Sequence, residues 1–309
     1  MTRTSNQLTR AHGPHYASPL RYPGGKGRLG PWLADVLQEN GLTGGWYIEP
    51  YAGGAGAALF LLLKDHVSHI VINDADPVIY AFWQSVVHNA QAFEQLVWDT
   101  PVTMESRAEM IARLDEPGRC TTLELGFAGF FLNRTSRSGI LRGGVIGGKA
   151  QAGDYKLDAR FRQEDLVARI RAISNRKSQI TVTGMDALEL LMTVGPGLPE
   201  KCLAYLDPPY YIKGSQLYRN HYQHGDHETI AHFAANTKLP LLITYDNCPE
   251  IRQLYRGMET TEFSLIYSTH TARPKASEIL IHANVKIPNK PTLTRGGTIS
   301  SSAAERIVF

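Results

Sequence analysis

Apolar positions along the chain change period at regular intervals, and these changes outline its elements. Residues 46–49 form a short apolar run that predicts a buried strand, and residues 55–64 carry the denser apolar spacing of a helix. A strand over 69–73 and a helix over 76–87 repeat the unit, so the chain opens as βαβα. From about residue 87 to residue 132 the spacing is helical throughout, with Phe93, Leu96 and Val97, then Met110, Ile111 and Leu114, then Leu125, Phe127 and Phe131. Residues 133–155 are rich in Gly, Arg and Ser and predict a hairpin or a mobile loop. Alternation then resumes, with strands over 180–183, 203–206 and 240–245 and helices over 187–192, 226–236 and 249–255. Residues 263–267 and 278–285 predict a closing antiparallel pair.

Strand–helix alternation of this kind predicts an α/β fold, a doubly wound and mainly parallel sheet interrupted by an inserted, mostly helical segment. The corresponding division is a flexible N-terminus over 1–16, a core domain over 17–87 and 178–287, an insertion over 88–177, and a flexible tail over 288–309. No internal repeat is visible.

Composition adds limits. The 309 residues are 43% hydrophobic and 20% charged, which is globular and long enough to bury a large core. No apolar run reaches membrane-span length, and residues 1–17 are polar and basic, so a soluble, cytoplasmic protein without membrane association is expected. Cys120, Cys202 and Cys248 are isolated from one another, which argues against a disulfide framework or a zinc–thiolate site. Formal net charge is only +3, but residues 134–177 hold eleven basic residues against four acids. A cationic stripe on a near-neutral body is the footprint of phosphate-backbone contact, although the portion over 169–177 is equally well read as a solvated helix face. Arg134, Arg137, Arg142 and Lys149 are the candidate phosphate-backbone contacts.

Two segments carry candidate chemistry. Residues 48–57 place a glycine-rich turn between strand and helix, with Glu49, Pro50, Ala52, Gly53, Gly54 and Gly56 as candidate cofactor contacts. Glycines there let backbone approach a ligand, and the helix N-terminus adds partial positive charge. Asp74 closes the second strand about twenty residues later, where a carboxylate reaches ribose hydroxyls. The turn alone serves NAD as well as S-adenosylmethionine, but a carboxylate at Glu49 suits a sulfonium ligand with its α-amino group better than a pyrophosphate. Asp186 is placed either to bond an adenine amine or to cap the following helix, and Asp76 reads as a cap. Residues 18–28 lack the glycine and Ser/Thr spacing of a phosphate loop, which argues against triphosphate hydrolysis.

The second segment is Asp207-Pro208-Pro209-Tyr210, directly after a strand. The Asp207 carboxylate can accept one N–H of an aromatic amine and the Pro208 carbonyl the other, which draws the nitrogen lone pair out of conjugation. Pro208 and Pro209 stiffen that carbonyl. Tyr210 offers a flat face for a stacked base, worth roughly 1–3 kcal/mol. A plain turn is the bland alternative for the tetrapeptide alone. Tyr211, Tyr218 and Tyr222 crowd the following loop and could flank a base, with core packing expected for at least one. His221, His224 and His227 stand at three-residue spacing, but surface or DNA-facing groups are the preferred reading over a metal site, and no metal is expected.

With these blocks in place the chain resembles the Dam-type, or alpha-class, DNA adenine N6-methyltransferases. Pro-Gly-Gly-Lys at 23–26, Glu-Pro-Tyr-Ala-Gly-Gly-Ala-Gly at 49–56, a recognition insertion and Asp-Pro-Pro-Tyr at 207–210 follow in that family's order. Weaker echoes lie at Asn73-Asp74, Asn133-Arg134, Ser138-Gly139, Asp226-His227, Tyr245-Asp246-Asn247 and Lys275-Ala276-Ser277-Glu278. The likeness spans about residues 18–286. It implies a Rossmann-like methyltransferase fold, S-adenosylmethionine as donor, a flipped adenine in duplex DNA as acceptor, and Tyr22, Lys26 and Asp207 bordering the cofactor. Tyr47-Ile48 and the glycine-rich residues 141–155 depart from the pattern, so no target sequence carries over. The rival readings are methylation of cytosine N4, an RNA base or a protein glutamine, a silent DNA-binding regulator, and a nicotinamide oxidoreductase. A monomer or weak dimer is expected, and a cognate restriction endonuclease is a candidate partner.

Overall fold

The computed structural model of the protein describes residues 17–22, 25–212, 222–266 and 275–291. The expectations for residues 1–16, for the tail beyond 291, and for Tyr218 and His221 lie outside these residues.

Seven strands form one sheet in the order β3-β2-β1-β4-β5-β7-β6. They are β1 (Trp46–Glu49), β2 (His69–Asn73), β3 (Ile180–Thr183), β4 (Cys202–Leu206), β5 (Leu241–Asp246), β6 (Glu259–Ile266) and β7 (Lys275–Ala283). The first five run parallel, with Trp46 paired to His69 on one side and to Cys202 on the other. β7 lies antiparallel between β5 and β6. A central parallel strand is covered on both faces and needs apolar residues throughout. β4, Cys-Leu-Ala-Tyr-Leu, is accordingly buried at every position.

Ten helices lie among the described residues: α1 (Gly30–Glu39), α2 (Gly56–Leu63), α3 (Pro77–His88), α4 (Ala90–Asp99), α5 (Met104–Asp115), α6 (Thr122–Thr135), α7 (Gln163–Ser174), α8 (Ala187–Val194), α9 (His224–Asn236) and α10 (Pro249–Leu254). The side-chain alternation of the strands divides the core in two. Tyr47, Ile70, Ile72, Leu203 and Leu242 face α1, α2, α3 and α7, while Ile48, Val71, Ala204, Ile243 and Ile281 face α8, α9 and α10.

Residues 88–177 enter between α3 and β3 and share the first of these cores. Phe82 of α3 stacks into a chain of rings with Phe93, Phe130 and Phe161 at centroid distances of 5.4–5.9 Å. α6 starts on a capping box made by Thr121 and Glu124. It then lies so close to α3 that a Cβ at Gly126 would stand 2.5 Å from the Ala81 carbonyl oxygen. Of the two alternatives for residues 133–155, the backbone shows a hairpin. Ser136 bridges Val145, the Arg137 N–H donates to Gly144 O at 2.8 Å, and the Ile146 N–H donates to Thr135 O at 3.0 Å.

The chain winds outward from β1 through β2 to β3, then returns to β4 and winds the other way to β5. Open α/β sheets bind ligands in the crevice where the winding reverses, outside the carboxyl ends of the strands. Here that crevice lies between β1 and β4. Residues 50–56 and 207–210 follow those two strands.

Candidate active site

The glycine turn after β1 is held by the end of β2. The Ala52 N–H donates to Asn73 O at 2.8 Å, and the Gly53 N–H donates to Asp74 Oδ2 at 2.9 Å. Gly53 has φ +44, and a Cβ there would stand 2.6 Å from Cε1 of Tyr22, so only glycine suits both the turn and the ring packed on it. Gly54 also lies under Tyr22, and Gly56 opens α2.

Two carboxylates line this turn, Glu49 buried and Asp74 half-buried. Glu49 Oε1 accepts from the Tyr47 hydroxyl at 3.1 Å and the Ala58 N–H at 3.0 Å, both partners falling on one oxygen. Burial outweighs these bonds and pushes its carboxyl up to about 8. Asp74 Oδ1 accepts from the Asp76 N–H at 2.9 Å, and burial raises this acid to about 7. A cation placed against these acids would offset the desolvation and favour their ionised form, so the pair suits a positively charged ligand. Asp186 is exposed and caps α8, accepting from the Leu188 and Glu189 N–H groups at 2.9 and 3.2 Å. Asp76 caps α3 by accepting from Val78.

Sequence reasoning gave Asn73 no role, yet its amide ties these segments together. Nδ2 donates to Pro50 O and Met185 O, and Oδ1 accepts from the Thr183 hydroxyl and the Met185 N–H, all at 2.8–2.9 Å. An Asn ending a strand beside an Asp was the available signal, but its partners lie up to 112 residues away.

At the carboxyl end of β4, Asp207 Oδ1 lies 2.9 Å from Lys26 Nζ and accepts from the Thr244 hydroxyl at 2.7 Å. Thr244 in turn bonds the Tyr205 hydroxyl at 2.8 Å. Pro208 is buried, and Pro209 and Tyr210 are half-buried. The Tyr210 hydroxyl donates to Glu278 Oε1 at 2.5 Å and accepts from Lys26 Nζ at 3.3 Å. The loop beyond is fixed by Asp246, whose two oxygens accept the Tyr211 and Ile212 N–H groups at 2.9 and 3.0 Å. One carboxylate oxygen of Asp207 is thus anchored, which orients the group toward an incoming donor.

Tyr211 and Tyr222 take up local contacts, the first with His224 Nδ1 at 3.0 Å and the second with the Tyr51 hydroxyl at 3.0 Å. His227 is buried against the Tyr245 hydroxyl at 2.9 Å, and desolvation lowers its pKa. No cluster of three metal-ligating side chains occurs among the described residues.

The basic candidates separate by exposure. Arg134 is only 9% exposed, with its guanidinium donating to Arg160 O at 2.7 Å and Pro19 O at 3.3 Å. Burial among other arginines lowers it to about 9. Against the expectation that Arg134 touches DNA, its guanidinium is turned inward, where it holds the insertion onto residues 17–22. Arg137 and Lys149 are exposed and form no ion pair among the described residues, while Arg142 is half-exposed and paired with Asp115 at 2.7 Å. Arg169, Arg171 and Arg176 are paired with Asp165, Glu94 and Asp65. The hairpin sits beside the glycine turn, because Arg21 Nη1 donates to Ser136 O at 3.1 Å and the next residue, Tyr22, packs on Gly53.

No helix among the described residues is long and apolar enough to cross a membrane. A family model for the D12 class N6 adenine-specific DNA methyltransferases matches residues 22–272. No curated protein matches the chain.

Proposed function

The chain belongs to the D12 class N6 adenine-specific DNA methyltransferases, so it methylates adenine N6 in DNA, and we propose that Asp207 addresses the amine while S-adenosylmethionine is the donor. The observation that carries this reading is the anchoring of Asp207 Oδ1 by Lys26 and Thr244 beside the winding reversal of the sheet. Oδ2 is then the oxygen that accepts an amine N–H, and the Pro208 carbonyl accepts the second. Both bonds pull electron density toward the nitrogen lone pair and aim it. Pro209 stiffens the turn, and Tyr210 stacks the base.

The glycine turn fits the proposed cofactor by its donor set. Glu49 answers a cationic group, Asp74 and Asp186 answer hydroxyl and amine donors, and Tyr22, Pro50, Ala52, Gly53, Gly54 and Gly56 form the wall. When bound, S-adenosylmethionine supplies a methyl group on an electrophilic sulfonium. No enzyme nucleophile is needed. The protein's own work is to orient the amine, exclude water and accept the proton lost from nitrogen.

An adenine inside a duplex cannot reach this pocket, and extruding it costs a few kcal/mol that cationic and stacking contacts must offset. Residues 88–177 are assigned this DNA-recognition role, with Arg137, Arg142 and Lys149 on phosphates and the remaining described chain as the catalytic body. Action at a specific site, as a monomer or weak dimer in the cytoplasm, and partnership with a cognate restriction endonuclease complete the reading. Tritiated-methyl incorporation into adenine-containing duplex tests it. Asp207→Ala is expected to lose at least a hundredfold in kcat, the scale of a lost orienting and proton-accepting group. Incorporation at the wild-type rate sinks the assignment.

A further inference from the structure

Glu278 is 1% exposed on β7, followed by the apolar Ile279, Leu280 and Ile281. A carboxylate in that place is costly unless its charge is used. Its Oε1 accepts the Tyr210 hydroxyl at 2.5 Å, and its Oε2 lies 3.6 Å from Lys26 Nζ. The same ammonium stands 2.9 Å from Asp207 Oδ1 and 3.3 Å from the Tyr210 hydroxyl. One buried cation is thus shared between two carboxylates, with the phenol lying between it and Glu278.

We propose that Glu278 is a positioning residue for methyl transfer, holding the Tyr210 ring and drawing Lys26 partly away from Asp207. A lysine facing Asp207 alone would neutralise it more completely and weaken it as an acceptor for the amine. Sharing the ammonium leaves the Asp207 oxygens richer in charge while still fixing Oδ1. The hydrogen bond from Tyr210 sets the ring angle against which the base stacks. Among the described residues, Glu49, Tyr47 and Tyr205 also lie within electrostatic reach of Asp207, and none of these three hydrogen-bonds Tyr210. Glu278 therefore acts through Lys26 and Tyr210 without contacting the reacting atoms.

This inference rests on Asp207 as the amine acceptor, and its test separates the two. Glu278→Gln keeps the shape and an acceptor for the Tyr210 hydroxyl but removes the charge. Single-turnover methylation by this variant is expected to slow by about tenfold, the scale of one hydrogen bond to a charged group. Binding of S-adenosylmethionine and of target duplex, measured by calorimetry, is expected to stay within about twofold of wild type, since the loss falls on the transition state. A wild-type rate per folded molecule, or a loss confined to KM, overturns the proposal. If Glu278→Gln does not fold, Tyr210→Phe carries the test, because it removes the hydroxyl through which Glu278 and Lys26 hold the ring. A slowed rate with intact binding then supports the role, and an unchanged rate overturns it. Asp207→Ala, which leaves no side-chain acceptor, is run alongside. A wild-type rate there defeats the acceptor reading itself, whereas an inactive Asp207→Ala with a wild-type-rate Glu278→Gln defeats only the role of Glu278.

Discussion

Burial makes Glu49 and Asp74 weak acids, and their titration pushes stability and ligand binding in opposite directions. Both are protonated in the folded protein at pH values where they are ionised in the unfolded chain, so folding takes up protons there. Their stabilising contribution is complete below the ordinary carboxylate range and is lost as pH rises through about 7 for Asp74 and about 8 for Glu49. The ligand-free protein is therefore expected to unfold at lower temperature as pH rises from about 5 to about 8. Glu49→Gln should lessen that loss across the whole window and remove most of it above about 7, where Asp74 is already ionised, and a wild-type slope in that variant would contradict it. A cationic ligand favours ionised Glu49, so its affinity is expected to strengthen with rising pH over the upper part of this window. At this scale Asp207, Gly53 and Glu49 were legible because they fall in compact motifs. Asn73, Thr244 and Arg134 were not, since what defines them is a partner 37–115 residues away. An arginine in a basic stretch carries no mark of the side it faces.

α6 sets two element-scale forces against each other at Gly126. Replacing a helix-interior glycine by alanine gains about 1 kcal/mol in intrinsic propensity. The new Cβ would meet the Ala81 carbonyl at 2.5 Å, and overpacking of that kind costs about 1–3 kcal/mol. Packing wins, so Gly126→Ala is expected to lower the unfolding temperature, and a more stable variant would show that α3 and α6 separate easily. The strands and most helices were legible from apolar period, because β1, β2, β4 and β5 are buried nearly throughout and β6 and β7 pair antiparallel. α1 was missed. Its Pro31 in the first turn and its buried Trp32, Leu33, Val36 and Leu37 give a helix signal, but the glycine-rich residues just before it drew the reading toward a loop. β6 begins at Glu259, four residues ahead of the expected start, since Thr260, Thr261 and Glu262 lie on an edge strand where polar residues are tolerated.

At the scale of the molecule, the helical insertion is packed into the core of the sheet, so the hairpin that carries Arg137 keeps a fixed place beside the glycine turn. Strand alternation was enough to foresee a mainly parallel sheet with an antiparallel end. The reversal between β1 and β4, which makes the crevice, depends on strand order, and local period says nothing of it. The same distinction governs charge. Eleven basic residues over 134–177 suggest a broad cationic face, but Arg134 is buried and Arg142, Arg169, Arg171 and Arg176 are balanced by acids. Of the four candidates named for DNA contact, Arg137 and Lys149 are then the two that are exposed and not balanced by an acid among the described residues, and they should carry most of that group's electrostatic contact. Each phosphate contact adds about 0.9 to the slope of log affinity against log salt. Arg137→Ala and Lys149→Ala are each expected to reduce that slope by about one, measured by fluorescence anisotropy on duplex across a salt series. Arg134→Met should leave the slope unchanged and lower the unfolding temperature, because it breaks the bonds to Pro19 and Arg160. A slope reduced by Arg134→Met, with stability intact, would place that guanidinium on the DNA and reopen the docking face.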